Sequence, residues 1–300
     1  MTVHILHENP EWLAPFAAAF AAEGVDWAEL PVTGGPVDLS AEPAPGVYWS
    51  RMSASAHTRG HGDSAEHARA LLDHLEAYGR RVVNGRSVLD LELSKVRQLT
   101  LLRAAGLDVP RTVAVAGADP DAVLAAARRL GPPVMVKPNR GGKGRGVDRY
   151  DSVDELAAAL PDREPPVDGV LLVQEYVEPA RPYITRVEIV GGEVMYAITA
   201  DTGRGGFALC PADACATDGT PTSLFALRPE VPGQLVDAYL DFAKRHGLEV
   251  AGFEFLEAAD GRTVTYDVNT NTNYNADVEA VAPRSAARAV ARLLGALDRE

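Results

Sequence analysis

A chain of 300 residues is long enough to bury a large core and to divide into two or three compact units. With 29 basic and 42 acidic residues its net charge is −13, an acidic balance that argues against nucleic-acid and anionic-membrane partners. The sequence has no signal-like N-terminus and no run of roughly 20 apolar residues, so we expect a soluble cytoplasmic protein. Its two cysteines, Cys210 and Cys215, predict neither a disulfide framework nor a zinc site.

In chain order, the first 92 residues alternate strands with helices. Strands are predicted at 3–6, 25–30, 47–50 and 81–84, and helices at 11–23 and from residue 64. Asp63 and Glu66 have the spacing of a capping box at the start of the second helix. Such alternation predicts a small parallel sheet covered on both faces, so residues 1–92 should form one α/β unit.

The loop after the third strand is rich in basic side chains, namely Arg51, His57, Arg59 and His61. Open α/β sheets place ligands at the carboxyl ends of their strands, and loops at such positions often carry function. We therefore predict that these residues bind an anionic substrate. A solvated loop that happens to be basic is the alternative.

Regular elements continue through the rest of the chain. Helices are predicted at 94–105, 120–130, 151–160, 234–245 and 283–297, and strands at 112–115, 133–137, 170–176, 184–190, 194–200, 249–256 and 263–268. Lys95 lies in the first turn of its helix, where a cation opposes the helix dipole unless an anion is nearby. Residues 202–222 are glycine-rich and too polar for a core.

The segment 134–147, VMVKPNRGGKGRGV, passes from an apolar strand into a basic, glycine-rich loop. Its glycines are Gly141, Gly142, Gly144 and Gly146, and its lysines are Lys137 and Lys143. Glycine allows positive φ and close approach, so the loop amides can surround an anion. Because strand character returns after the loop, the segment predicts a phosphate-covering flap between antiparallel strands rather than a P-loop or dinucleotide motif. A basic, solvated hairpin turn is the alternative.

A candidate metal site lies in the last predicted hairpin. Asp267 and Asn269 are two residues apart in a strand, so their side chains leave the same face, and Glu254 lies in the preceding strand. Carboxylate and amide oxygens that leave room for water and phosphate are typical Mg²⁺ ligands. Surface acids on a solvated strand are the alternative, although the apolar neighbours make these strands substantially buried.

Lys95, the segment 134–147, QEYVE at 174–178, Arg186, and Glu254 with DVN at 267–269 occur in this order. Together they resemble the ATP-grasp superfamily, most closely the RimK-like carboxylate–amine ligases, over residues 85–275. The resemblance implies an ATP-grasp fold of α/β and α+β class with an N-terminal pre-ATP-grasp, Rossmann-like domain. The implied domains are residues 1–92, a central subdomain with the flap at 93–176, and a C-terminal subdomain with the metal site at 177–300.

The resemblance also implies ATP and Mg²⁺, with Mn²⁺ as an alternative ion. Lys95 and Lys137 would contact the phosphates, and the flap with Lys143 would close over them. The remaining nucleotide contacts would come from Gln174, Glu175, Tyr176 and Val177 at the adenine and Glu178 at the ribose. Lys137 and Arg186 would be catalytic, Arg186 by stabilising the charged acyl intermediate.

Two departures from the family fall on the substrate side. Where RimK-like enzymes carry Asp-x-Arg, this chain has Ile184-Thr185-Arg186, and an asparagine-rich run at 270–275 replaces the usual Pro-Gly turn. Arg204 and Asn271 are further predicted substrate contacts. The asparagine run predicts a hydrogen-bonding substrate wall, with a turn-rich strand end as the alternative.

The predicted function is ATP-dependent ligation of a carboxylate to an amine through an acyl phosphate, with an amino acid as one substrate. The substrates would be small molecules or peptides, with no nucleic-acid or membrane partner, and a homo-oligomer is compatible with the sequence. Phosphotransfer alone and a nucleotide-binding module without turnover are the alternatives.

Overall fold

The structure, a computed structural model, describes residues 2–142, 144–205 and 224–299. Its N-terminal part is a four-stranded parallel sheet in the order β2-β1-β3-β4. The strands are β1 (Val3–His7), β2 (Trp27–Pro31), β3 (Val47–Arg51) and β4 (Arg81–Val83), and the helices are α1 (Ala14–Glu23), α2 (Ser64–Ala77) and α3 (Arg86–Glu92). The predicted α/β alternation is therefore observed.

The second part carries an antiparallel sheet in the order β5-β8-β6-β7. Its elements are α4 (Lys95–Ala104), β5 (Thr112–Ala116), α5 (Pro120–Leu130), β6 (Val134–Pro138), β7 (Asp148–Tyr150), α6 (Val153–Ala159) and β8 (Val170–Glu175). Val134 pairs with Tyr150 and Val136 with Asp148, so the glycine-rich loop connects two antiparallel strands, as the sequence predicted.

The third part is an antiparallel sheet in the order β11-β10-β9-β12-β13. Its elements are β9 (Tyr183–Val190), β10 (Glu193–Asp201), α7 (Thr202–Gly205), β11 (Phe225–Leu227), α8 (Gly233–His246), β12 (Val250–Glu257), β13 (Thr263–Asn269), α9 (Ala276–Val281) and α10 (Ala286–Leu297). In this register Glu254 lies between Arg186 on one neighbouring strand and Asp267 on the other.

Aromatic packing joins the first and third parts. Phe16 of α1 meets Trp49 of β3 edge-on at a centroid distance of 4.8 Å, and Tyr274 lies 5.7 Å from Phe16. Helix α10 packs along α1, so the C-terminal helix covers the N-terminal unit. The division into domains at residues 92 and 176 remains a prediction, although the described strands of the three sheets fall within those ranges.

Some local expectations were wrong. Asp63 makes no side-chain capping hydrogen bond at the start of α2, because its backbone is already helical (φ −83°, ψ −9°) rather than extended, and Glu66 accepts from Arg69 at 2.6 Å instead of from the Asp63 amide. The predicted helix at 11–23 begins as a 3-10 turn at Pro10–Leu13 before α1 starts. Among the described residues, every helix is too short or too polar to cross a bilayer.

Candidate active site

A cavity of about 490 Å³ lies where the three parts meet. Its walls come from the flap, the ends of β6 and β8, the start of α4, strands β12 and β13, and the loop that follows β3. Several predicted site residues line it, namely Lys95, Lys137, Gly141, Gly142, Gly144, Gln174, Glu175, Tyr176, Val177, Arg186, Glu254, Asp267, Asn269 and Asn271. The predicted metal residues and most of the predicted nucleotide residues thus face one space, together with Asn271 from the predicted substrate residues.

The start of α4 is fixed to the strand that feeds the flap. Asn139 Oδ1 accepts a hydrogen bond from the Val96 amide at 2.8 Å, and the Asn139 carbonyl accepts one from the Lys95 amide at 3.2 Å. The same carboxamide donates to Asp168 at 2.6 Å, which fixes its orientation. Two free amides of the helix terminus are thereby satisfied, and Lys95 is held beside the flap strand.

Lys137 is a buried cation at the end of β6. Burial and the nearby charge of Lys95 lower the pKa of Lys137 to about 8. The two lysines raise the positive potential in one small volume, and that favours a polyanionic ligand. This placement agrees with phosphate contacts, whereas the roles themselves remain predictions.

The two predicted metal carboxylates lie side by side on paired strands. Glu254 and Asp267 are direct cross-strand partners, and Asn269 Nδ2 donates to Glu254 Oε1 at 3.1 Å. Lys95 Nζ donates to Asp267 Oδ1 at 2.5 Å. Burial raises the pKa of Asp267, but the charges of Lys95 and Lys137 and the Lys95 hydrogen bond outweigh it, so the net pKa is lowered.

The donor set fits a magnesium ion. Two carboxylates and one carboxamide oxygen are hard ligands, and Mg²⁺ keeps several positions for water and phosphate oxygens. Burial, together with the charge of Asp267, raises the pKa of Glu254 despite the nearby Arg186, so a cation bound beside it would favour the ionised carboxylate. The described residues contain no group of three or more Asp, Glu, His or Cys side chains that could hold a metal ion, so the predicted set depends on the Asn269 carboxamide as its third ligand.

Arg186 is held in the floor of the cavity by buried partners. It donates to Glu188 Oε1 at 2.6 Å, to Thr272 Oγ1 at 2.6 Å and to Glu254 Oε1 at 3.2 Å. Thr272 Oγ1 also lies 3.0 Å from Glu188 Oε2. The guanidinium crosses Gly252 so closely that only a residue without Cβ leaves it room.

The contact with Glu188 compensates for the acid that is missing at position 184. Because the side chains of residues 184, 186 and 188 lie on the same face of β9, Glu188 supplies a carboxylate two residues after Arg186 rather than two residues before it. Ile184 instead presents an apolar side chain to the cavity. The sequence analysis did not identify Glu188, although strand alternation alone would have placed it beside Arg186.

The flap lies against the loop after β3. A Cβ built on Gly142 would be 3.4 Å from Ser55 Cβ, so the flap backbone approaches this loop closely. Ser53, Ala54 and Ser55 of the loop line the cavity.

Within the described part of the chain, Gly146 and Glu178 are not in the cavity wall, and Glu178 is exposed. Lys143 and the Arg204 side chain lie outside the described residues.

The basic loop residues do not reach the cavity wall in the described structure. Glu8, whose side chain is fully buried, accepts from Arg59 Nε at 3.1 Å and lies 3.0 Å from His61 Nδ1. Arg51 is buried and donates to Asn273 Oδ1 at 2.6 Å, and burial lowers its pKa to about 9. His57 is partly buried, and desolvation lowers its pKa. Arg51, Arg59 and His61 therefore bond other protein groups, and the predicted substrate role of this loop stays a prediction.

Two further cavity residues were missed by the sequence analysis. Glu92 accepts from the Thr270 amide at 2.8 Å and the Thr270 hydroxyl at 2.9 Å, and burial raises its pKa. Gln98 donates to the carbonyl of Val268 and accepts from its amide, which connects α4 to β13. Neither residue belongs to a recognisable motif. Their partners in the 268–270 segment lie 170 positions from Gln98 and 178 positions from Glu92, so no local pattern pointed to these contacts.

Comparisons with known proteins identify the family and the fold. The model of the RimK-like ATP-grasp domain matches residues 93–282. The probable alpha-L-glutamate ligase of Stenotrophomonas maltophilia (strain K279a) is 30% identical over 199 residues, which cover 65% of this chain and 63% of that protein. The match thus spans less than two thirds of this relative's length.

Solved structures share the fold at low identity. The RimK domain protein ATP-grasp from Sphaerobacter thermophilus DSM 20745 superposes with a TM-score of 0.71 at 19% identity, covering 98% of this chain and 99% of that chain. ATP-grasp ligase PsnB, complexed with minimal precursor, Mg and ADP, gives a TM-score of 0.67 at 19% identity, covering 98% and 96%. The predicted ATP-grasp fold is confirmed, and because the family model matches well over half of the chain, the protein belongs to the RimK-like ATP-grasp family.

Proposed function

We propose that the protein is an ATP-dependent, ADP-forming carboxylate–amine ligase. The observation that carries this proposal is the arrangement of Lys95, Asp267, Glu254 and Arg186 along the floor of one cavity, beneath a glycine-rich flap. Family membership supports it, as does the relative named as a glutamate ligase. An amino acid or peptide carboxylate is the proposed acyl donor.

In the proposed reaction, a carboxylate oxygen attacks the γ-phosphorus of ATP, the bond to the β-phosphate oxygen breaks, and ADP leaves. The nitrogen of a neutral amine then attacks the acyl carbon, and the bond to the phosphate oxygen breaks as phosphate leaves. The amine gives up one proton to solvent water. No side-chain nucleophile is required, so the protein acts by positioning and by charge stabilisation.

Each residue has a defined task in this proposal. Lys95 and Lys137 place positive charge beside the transferring phosphoryl group, and Arg186 faces the carboxylate and the acyl phosphate. Glu254, Asp267 and Asn269 would hold Mg²⁺, which supplies positive charge at the phosphate oxygens when bound. Lys95 also pairs with Asp267 Oδ1, so the lysine and the ion would share the negative charge of this carboxylate.

The remaining predicted contacts belong to this proposal too. The backbone of residues 174–177 would hold the adenine and Glu178 the ribose, while the flap with Lys143 would cover the phosphates. Arg204 and the loop after β3 would contact the substrates. Cytoplasmic location and a homo-oligomeric state stay predictions.

Hydroxylamine trapping tests the proposed function. Purified protein is incubated with ATP, Mg²⁺, hydroxylamine and each of the twenty amino acids or short peptides, and both ADP and hydroxamate are measured. An activated carboxylate yields one hydroxamate per ADP. A stable phosphorylated product without hydroxamate would instead indicate phosphotransfer, and tight nucleotide binding without ADP release would indicate a binding module.

A further inference from the structure

Residues 269–273 alternate between the cavity and the protein interior. Asn269, Asn271 and Asn273 line the cavity, whereas Thr270 and Thr272 are buried. Residues 270–273 belong to the run that replaces the family's Pro-Gly turn. Asn271 and Asn273 therefore continue the cavity wall beyond Asn269, the last of the predicted metal residues.

The backbone of this wall is held from both sides. Glu92 accepts two hydrogen bonds from Thr270, and Thr272 bonds Arg186 and Glu188. Arg51 donates to the Thr272 carbonyl at 3.3 Å. Because these partners are buried, the wall has little freedom to move toward or away from a ligand.

The asparagine side chains differ in their partners. Asn273 Oδ1 accepts from Arg51, and Asn269 Nδ2 donates to Glu254. Asn271 Oδ1, in contrast, is buried and has no hydrogen-bond partner in the described structure. A buried carbonyl oxygen without a donor is destabilising, so a ligand that brings an N–H to this atom gains from satisfying it.

We infer that the Asn271 carboxamide oxygen accepts a hydrogen bond from the nitrogen of the amine substrate, and that residues 269–273 are the amine-binding wall. The inference rests on the proposed ligase function. A nucleophilic amine must be neutral, because an ammonium has no lone pair for attack. A carboxamide holds the N–H of a neutral amine, whereas a carboxylate in its place would favour the ammonium form.

The test compares the wild type with Asn271→Leu and Asn271→Asp, using hydroxylamine and glycinamide as amines and the carboxylate that gives most hydroxamate in the trapping assay. For Asn271→Leu, we expect the KM for hydroxylamine to rise about tenfold, as for one lost hydrogen bond, and the KM for ATP to change less than twofold. For Asn271→Asp, the rise of rate with pH for glycinamide should move to higher pH. Asn271→Ser serves as the second variant if Asn271→Leu does not fold.

The outcomes separate this inference from the proposed function. A wild type that forms hydroxamate while Asn271→Leu leaves the hydroxylamine KM unchanged, or raises the ATP KM equally, overturns the inference alone. If no carboxylate gives hydroxamate, the ligase proposal fails, and saturation-transfer NMR of glycinamide still reports on the wall. Binding lost in Asn271→Leu then supports the amine site, and equal binding in both proteins rejects it.

Discussion

Gly252→Ala gives the sharpest test of how Arg186 is held. A Cβ at this position would lie 2.5 Å from Arg186 Nε, 2.8 Å from Nη2 and 2.9 Å from Cζ. Because carbon atoms pack at roughly 3.5 Å or more, the guanidinium has to move by about 1 Å. The hydrogen bonds of 2.6 Å to Glu188 and Thr272 do not survive such a shift.

The expected loss follows from the charge on these groups. A hydrogen bond to a charged partner contributes about 2 kcal/mol, which corresponds to a roughly 30-fold lower kcat if Arg186 stabilises the transition state. ATP affinity should change little, since the proposed adenine contacts, residues 174–177, lie at the end of β8 and not at Gly252. We would measure ADP release and hydroxamate formation together with the melting temperature.

Two controls define the result. Gly233→Ala has no atom within 4 Å of its new Cβ and should leave turnover unchanged. In the double variant with Arg186→Met, Gly252→Ala should add little further loss, since both changes remove the same interaction. Wild-type turnover in Gly252→Ala, or a full additional loss in the double variant, would refute the reasoning.

Three other changes probe the same floor and its cations. Thr272→Val removes a hydroxyl between Arg186 and Glu188 and should lower kcat about tenfold, while Thr272→Ser should retain activity; equal rates for the two would contradict a role for the hydroxyl. Lys137, with a pKa of about 8, loses its charge as the pH rises, so calorimetry should show ATP affinity falling between about pH 7 and pH 9 in the wild type and staying flat in Lys137→Arg. Asp267→Asn keeps the shape of the side chain but removes one of two metal carboxylates, so Mg²⁺-dependent ADP release should fall at least about 100-fold with an unchanged circular dichroism spectrum; undiminished release would falsify the metal assignment.

The elements that the sequence predicted correctly are those that local patterns determine. Strand β6 is an apolar run that leads into the glycine-rich loop, and the predicted strands at 184–190 and 194–200 pair across Gly191-Gly192, where φ is positive at both residues. Helix α3 was missed because it has seven residues, of which three apolar ones are buried, too few for a helical period to be recognised.

The candidate site divides in the same way. Glu254 opposite Asp267 could be predicted because a hairpin places neighbouring strands in register. The partners of the basic loop could not be predicted, since Arg59 pairs with Glu8, 51 positions earlier, and Arg51 donates to Asn273, 222 positions later. The sequence alone does not show which distant residue will bond a cationic side chain, because the fold brings the two together.

Buried polar side chains of the N-terminal unit bond the sheet that contains Glu254 and Asp267. Asn84 donates to the carbonyls of Val250 at 2.7 Å and Thr270 at 3.3 Å, and it accepts from the Glu249 amide at 2.8 Å. Together with Arg51 and Glu92, it makes this unit part of the cavity floor rather than a detachable module. Exchanging residues 1–92 for those of another member of the family would leave the asparagine wall without its supports, so a chimera has to keep these three residues together with the segment they hold.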